Sequence, residues 1–247
     1  MTRRARKRLA LAAIAGTMIG LGAFGGYTLR QTQKQRLIER MLEEGMAAYE
    51  SHDYESARAA LNHYVRRRPG NAAALLALAD STRRVPMEND AHIGAAVAYA
   101  RQAAEAAESD EQRLAALRML LELYGIAGYM TERLDTAQRI LRIQPDHAGA
   151  MSARIESMIV LGRREEALEA ARQMAAALPD NMYAHSAVVG LMEAQGSPGP
   201  EILAYTRDLT ARYPQSLRAA TLHARVVLRF GSDQEAMELA QQAAPLP

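Results

Sequence analysis

Residues 148–181 read AGAMSARIESMIVLGRREEALEAARQMAAALPDN, and this stretch decides the fold. Apolar side chains at Met151, Ile155, Met158, Ile159 and Leu161 fall three and four apart, the spacing of one helix face. Gly162 follows as a stop, because glycine enters the left-handed cap without a Cβ penalty. A second helix is predicted from about Arg164 to Leu178, with Ala167, Leu168, Ala171, Met174 and Ala175 on its inner face. Pro179 ends it, having no N–H to give and clashing with the preceding turn. Two helices of this size cannot bury their apolar faces on each other alone, so the unit requires neighbours.

The neighbours recur at a fixed interval. Pro145, Pro179 and Pro214 lie 34 and 35 residues apart, within QPDH, LPDN and YPQS. Gly162, Gly196 and Gly231 repeat that spacing, with Ala167 and Ala236 following where a second helix must cross closely. A 34-residue helix–turn–helix period with these markers resembles the tetratricopeptide-repeat family. The fold expected is all-α: an α-α superhelix, or tetratricopeptide solenoid, preceded by a single transmembrane helix. About six repeats are predicted over 38–247, with limits 38–71, 72–113, 114–147, 148–181, 182–216 and 217–247. Pro69 to Pro145 is two periods plus eight residues, and the surplus is assigned to an insertion near 85–90 (VPMEND). Gly125 and Gly128 are read as flanking a loose turn, and Asn89 or Asp90 as capping the helix that follows.

The N-terminus reads differently. Residues 1–8 form a basic head, and 9–29 is an apolar stretch without a charge, long enough for a spanning helix. Residues 30–37 are predicted as a helical linker. The basic head places the N-terminus in the cytoplasm and the repeats in the periplasm or another exterior space of a bacterial inner membrane. The alternative is a soluble exported protein with a cleaved signal peptide, suggested by the glycine-rich end of the stretch. Small-xxx-small faces (Ala12, Gly16 and Gly20; Gly22 and Gly26) suggest a homodimer through this segment.

Composition narrows the function. With no cysteine, disulfides and thiolate chemistry are excluded. Six of the 30 basic residues precede residue 31 without an acid among them, leaving 24 basic against 28 acidic residues in the rest. The basic pI thus belongs to the N-terminus, and no nucleic-acid partner is expected. None of GxxxxGK[ST], HExxH or GxSxG occurs. The six histidines are scattered and read as surface or turn residues, so no metal or cofactor is expected. The chain reads as a non-enzyme, the alternative being an active site hidden across repeats.

The resemblance implies a peptide- or protein-binding groove lined by the first helix of each repeat. Carried onto this chain, it comprises Leu42, Met46 and Tyr49; Leu76, Asp80 and Arg83; Arg118 and Glu122; Ser152 and Glu156; Tyr183 and Ser186; and Arg218, Arg225 and Arg229. Family members that clamp a terminal carboxylate need lysine and asparagine here. This chain has Met46, Asp80, Glu122 and Glu156 at the asparagine positions. The implied role is a membrane-anchored scaffold holding an apolar, acidic segment in an envelope assembly, secretion or protein-maturation complex.

Overall fold

A computed structural model describes residues 30–237, and every regular element in that range is helical. The chain divides into two compact units, up to Gln112 and from Arg113. The first holds α1 (residues 30–50), α2 (Tyr54–Val65), α3 (Ala72–Arg84) and α4 (Ala91–Ala106). The boundary falls inside α5 (Asp110–Ala127). The second unit continues with α6 (Met130–Ile143), α7 (Ala148–Val160), α8 (Arg164–Ala177), α9 (Met182–Ala194), α10 (Gly199–Arg212) and α11 (Leu217–Phe230), and residues 233–237 are again helical. In the first unit α3 packs on both α2 and α4; in the second each helix from α6 to α11 packs on the next, and α9 also touches α11.

Two local devices set this alternation. The odd-numbered helices after α1 start three residues beyond a proline wherever the period is intact, with the cap residue two beyond it. Asn71, His147, Asn181 and Ser216 each accept a bond from a backbone N–H of the first turn, at 3.0 Å for Asn71 and His147. Such caps satisfy donors that the helix itself leaves open. The turns into α6, α8 and α10 are closed by Gly128, Gly162 and Gly196, at φ of 74°, 74° and 72°. Each lets the next N–H reach back five residues, closing a six-residue loop: Tyr129 to the Tyr124 carbonyl at 2.9 Å, Arg163 to Met158 at 2.8 Å, Ser197 to Met192 at 2.9 Å. His52 holds the same place before α2 at φ 63°, with Asp53 donating to the Ala48 carbonyl at 2.9 Å.

The second unit's core fills in register. Ile155, Ala167, Ala171, Val188, Ile202 and Val226 are fully buried. Small residues set the closest approaches: a Cβ added at Gly45 of α1 would lie 2.8 Å from Leu61 of α2.

Several expectations are revised. Helix α5 runs through Gly125 to Ala127, so only Gly128 makes the turn. Gly231 does not share the left-handed conformation of Gly162 and Gly196. It is extended (φ −81°, ψ 173°), and a Cβ there would meet the Val227 carbonyl at 2.7 Å, so close approach demands the glycine. Over 85–90, Asn89 and Asp90 both take left-handed φ (55° and 54°) in a short 3-10 turn (Glu88–Asp90), and Asp90 makes no side-chain cap bond. The solenoid preceded by a transmembrane helix is corrected in its second part. Among the described residues no helix is long and apolar enough to cross a membrane. Each carries polar or charged side chains on its outer face, as α5 does with Glu111, Arg118 and Glu122. The single-pass inner-membrane placement, with membrane as partner, therefore has no spanning helix in the described structure. The 9–29 stretch, the basic head and the dimerisation faces lie outside the described residues.

One chemical change should have opposite signs at two glycines. Gly162→Ala meets no neighbour but forces a side chain into left-handed backbone, and should cost about 1 kcal/mol. Gly190→Ala, inside α9 with open space around it, should gain about 0.5–1 kcal/mol. Denaturant unfolding of both variants checks the pair.

Candidate functional site

The groove positions fall into two sets with different chemistry, one in each unit. In the first unit Leu42, Met46 and Tyr49 on α1 and Leu76 and Arg83 on α3 are half-buried, and Asp80 is buried at 5 % exposure. Asp80 is fully engaged. Its Oδ1 accepts from Arg83 Nε at 2.5 Å, and its Oδ2 accepts from Arg84 Nε and Tyr49 Oη, both at 3.0 Å. Arg84 also lies 4.8 Å over the Tyr54 ring. Burial opposes the charge on Asp80, yet the hydrogen bonds from Arg83, Arg84 and Tyr49 hold its carboxyl below the usual range. Burial, then Asp80 itself, pushes the Tyr49 phenol up. These residues form a closed polar joint between α1 and α3. A hollow of about 560 Å³ elsewhere in this unit has donors that are similarly engaged: Arg67 to the His63 carbonyl, Arg68 to Gln35 and Asn71 to Tyr64 Oη.

In the second unit the positions stay open. Arg118 and Glu122 on α5, Tyr183 and Ser186 on α9, and Arg218, Arg225 and Arg229 on α11 are exposed; Ser152 and Glu156 on α7 are half-buried. Arg118 donates to Gln144 Oε1 at 3.0 Å. Ser152 Oγ lies 3.9 Å from Met174 Sδ. Glu156 ties α7 to two neighbours, accepting from Arg133 Nη2 at 2.8 Å and from Tyr183 Oη at 3.0 Å. Burial, reinforced by the Glu156 charge, pushes the Tyr183 phenol up to about 12.

Between α9 and α11 lies a groove of about 490 Å³ with largely apolar walls. Tyr183 and Ser186 line one side; Leu217, Leu222, Arg218 and Arg225 line the other. Leu217 is 79 % exposed and Tyr183 39 %, apolar surface that burial would favour. The cap of Ser216 starts α11 so that Leu217 and Arg218 stand at the groove mouth. Arg218 has no hydrogen-bond or ion-pair partner among the described residues. The structure thus brings together Tyr183, Ser186, Arg218 and Arg225, with Arg229 one turn further along α11. The first-unit positions belong to a separate joint.

Two features escaped the sequence reading. Glu193 on α9 faces both Arg225 and Arg229, with its Oε2 3.8 and 3.4 Å from their guanidinium nitrogens. A glutamate near a helix end gives no sequence signal that it is nearly buried. His185 and His223 are buried rather than surface residues. His185 Nε2 donates to the Pro179 carbonyl at 2.9 Å, so its Nδ1 accepts from Tyr205 Oη at 2.7 Å. His223 Nδ1 lies 2.9 Å from Thr206 Oγ1, and burial, then Arg207, pushes its pKa down. Among the described residues no group of three or more His, Cys, Asp or Glu side chains could hold a metal.

No family model matches the chain, and no curated protein matches it. Solved structures do. MamA aligns with a TM-score of 0.58 at 16 % identity, over 74 % of this chain and 98 % of its own. A tetratricopeptide repeat protein from Parabacteroides merdae aligns at 0.57 and 18 % identity, over 84 % and 79 %. YrrB, a tetratricopeptide protein with an unusual peptide-binding site, aligns at 0.51 and 15 % identity, over 74 % and 90 %. The chain has the fold of a tetratricopeptide-type α-solenoid.

Proposed function

We propose that the second unit is a non-catalytic binding module that holds an extended protein segment in the groove between α9 and α11. An apolar side chain of the partner lies between Tyr183 and Leu217, and an acidic one pairs with Arg218. The observation that carries this reading is Arg218, a cation without a described partner at the mouth of an apolar groove. Burial of the exposed leucine and tyrosine supplies the affinity, and a guanidinium fork orients a carboxylate. The peptide-binding site of YrrB, which shares the fold, supports a peptide as ligand. The groove positions on α5 and α7 extend the same surface, whereas the Asp80 joint leaves the first unit a structural part.

Of the two readings of the N-terminus, we carry forward an exported binding protein with a cleaved leader. A basic head, an apolar stretch and small residues near its end support it. The setting would be a complex of envelope assembly, secretion or protein maturation. Intact-mass analysis of the native protein should find a mature start between Gly22 and Gly26; retention of the basic head would overturn the leader.

The groove is tested with a fluorescent nine-residue probe carrying a central leucine and two aspartates. Arg218→Glu should weaken binding at least tenfold, with the circular dichroism spectrum and melting temperature preserved. Unchanged affinity would reject the assignment. Tyr183 provides an independent reading. Its ultraviolet titration, isolated by difference from Tyr183→Phe, should lie near pH 12 in the free protein. The associated stability is present below pH 10, the ordinary tyrosine value, and is lost as pH rises through the folded-state pKa.

A further inference from the structure

We propose that Glu193 is a specificity-determining residue of the groove, a fixed internal counter-anion that competes with acidic ligand groups for Arg225 and Arg229. This inference rests on the groove reading above.

Glu193 stands near the end of α9, its side chain only 12 % exposed, while the guanidinium groups it faces on α11 are 56 % and 60 % exposed. Its Oε1 is buried with no hydrogen-bond partner among the described residues. A carboxylate so placed forfeits hydration, and native proteins rarely leave such an atom unpaired without a use for it. Its Oε2 faces the arginines at 3.8 and 3.4 Å, outside the 2.7–3.2 Å of a formed N–H···O bond. The structural ion pairs are tighter: Arg133 meets Glu156 at 2.8 Å, and Arg83 meets Asp80 at 2.5 Å. Arg225 and Arg229 are therefore attracted to Glu193 without being locked, and their outer nitrogens remain open to solvent. Arg229 also stacks at 5.2 Å on Phe230, which steadies its stem.

The charge balance gives the arrangement its consequence. Arg218 and Arg225 line the groove, Arg229 follows one turn beyond Arg225 on α11, and Glu193 offsets one of the three charges. An acidic ligand has to share the guanidiniums of Arg225 and Arg229 with a carboxylate already present, whereas a neutral apolar ligand is indifferent to it. Glu193 thereby lowers the preference for highly acidic segments and leaves the choice to the apolar pocket. Such tuning by a competing charge is a repulsive element of specificity.

Glu193→Gln keeps the shape and removes the charge. It should bind the aspartate-bearing probe about fivefold more tightly at low salt, with a steeper salt dependence, while a matched probe carrying asparagines binds as before. Arg229→Gln should weaken the aspartate probe by a similar factor and leave the asparagine probe unchanged. A merely structural Glu193 would shift both probes together or neither, and either result, in folded protein, overturns the proposal. A ligand-free measurement separates this from the groove reading. Phenylglyoxal modification mapped by mass spectrometry should be faster at Arg225 and Arg229 in Glu193→Gln, and slower at Arg225 in Arg229→Gln, where Glu193 serves one cation alone. If wild type binds neither probe, the groove reading fails, and the modification rates alone decide whether Glu193 restrains the arginines; unchanged rates reject it.

Discussion

The bond from the Arg163 N–H to the Met158 carbonyl, made possible by left-handed backbone at Gly162, fixes how one helix turns back on the one before it. The same six-residue closure occurs at Gly128, Gly196 and His52. Because the turn is so short, the second helix of each pair emerges at a set angle and depth. Small residues then face one another across the crossing: Ala167 is fully buried, and Gly45 leaves no room for a Cβ against Leu61. Each pair consequently ends with an apolar face still open, which only the next pair can cover. Extension of the array follows from the turn rather than from any long-range signal.

That geometry also sets where function can reside. Proline followed two residues later by a cap starts each odd-numbered helix after an intact repeat, bringing its first-turn side chains into line. On α11 the cap leaves Leu217 and Arg218 outside the core and Ala219 within it. The extra residue between Pro179 and Pro214 sits in the Gly196–Pro198 turn, before α10 begins. The insertion is thus absorbed in the connection, and neither helix is disturbed.

Much of this was legible. The period, the helix stops at Gly162 and Gly196 and the close crossing at Ala167 follow from residue type and spacing. Gly231 was not legible. It keeps the period but is needed for close approach to the Val227 carbonyl, and sequence cannot distinguish that from a left-handed cap. The partners of buried polar groups were also out of reach. Asp80 shares its register with Glu156, yet two neighbouring arginines and a tyrosine enclose Asp80. His185 and His223 read as surface residues because polarity is the only cue sequence offers, and their burial depends on Tyr205, Pro179 and Thr206 from other segments.

The contrast between Asp80 and Glu193 shows why similar residues serve different ends. Both are nearly buried acids on odd-numbered helices, and both face two arginines. Asp80 has its arginines on its own helix, three and four residues on, where the helical turn delivers them at hydrogen-bond distance. A phenol supplied by α1 completes its shell, so the charge is consumed in joining the helices. Glu193 must draw its arginines from another helix, and the span between α9 and α11 holds them beyond hydrogen-bond range. The separation that opens a groove wide enough for a ligand is also what prevents the ion pair from closing. A recognition surface and an unfinished electrostatic contact are therefore two results of one spacing.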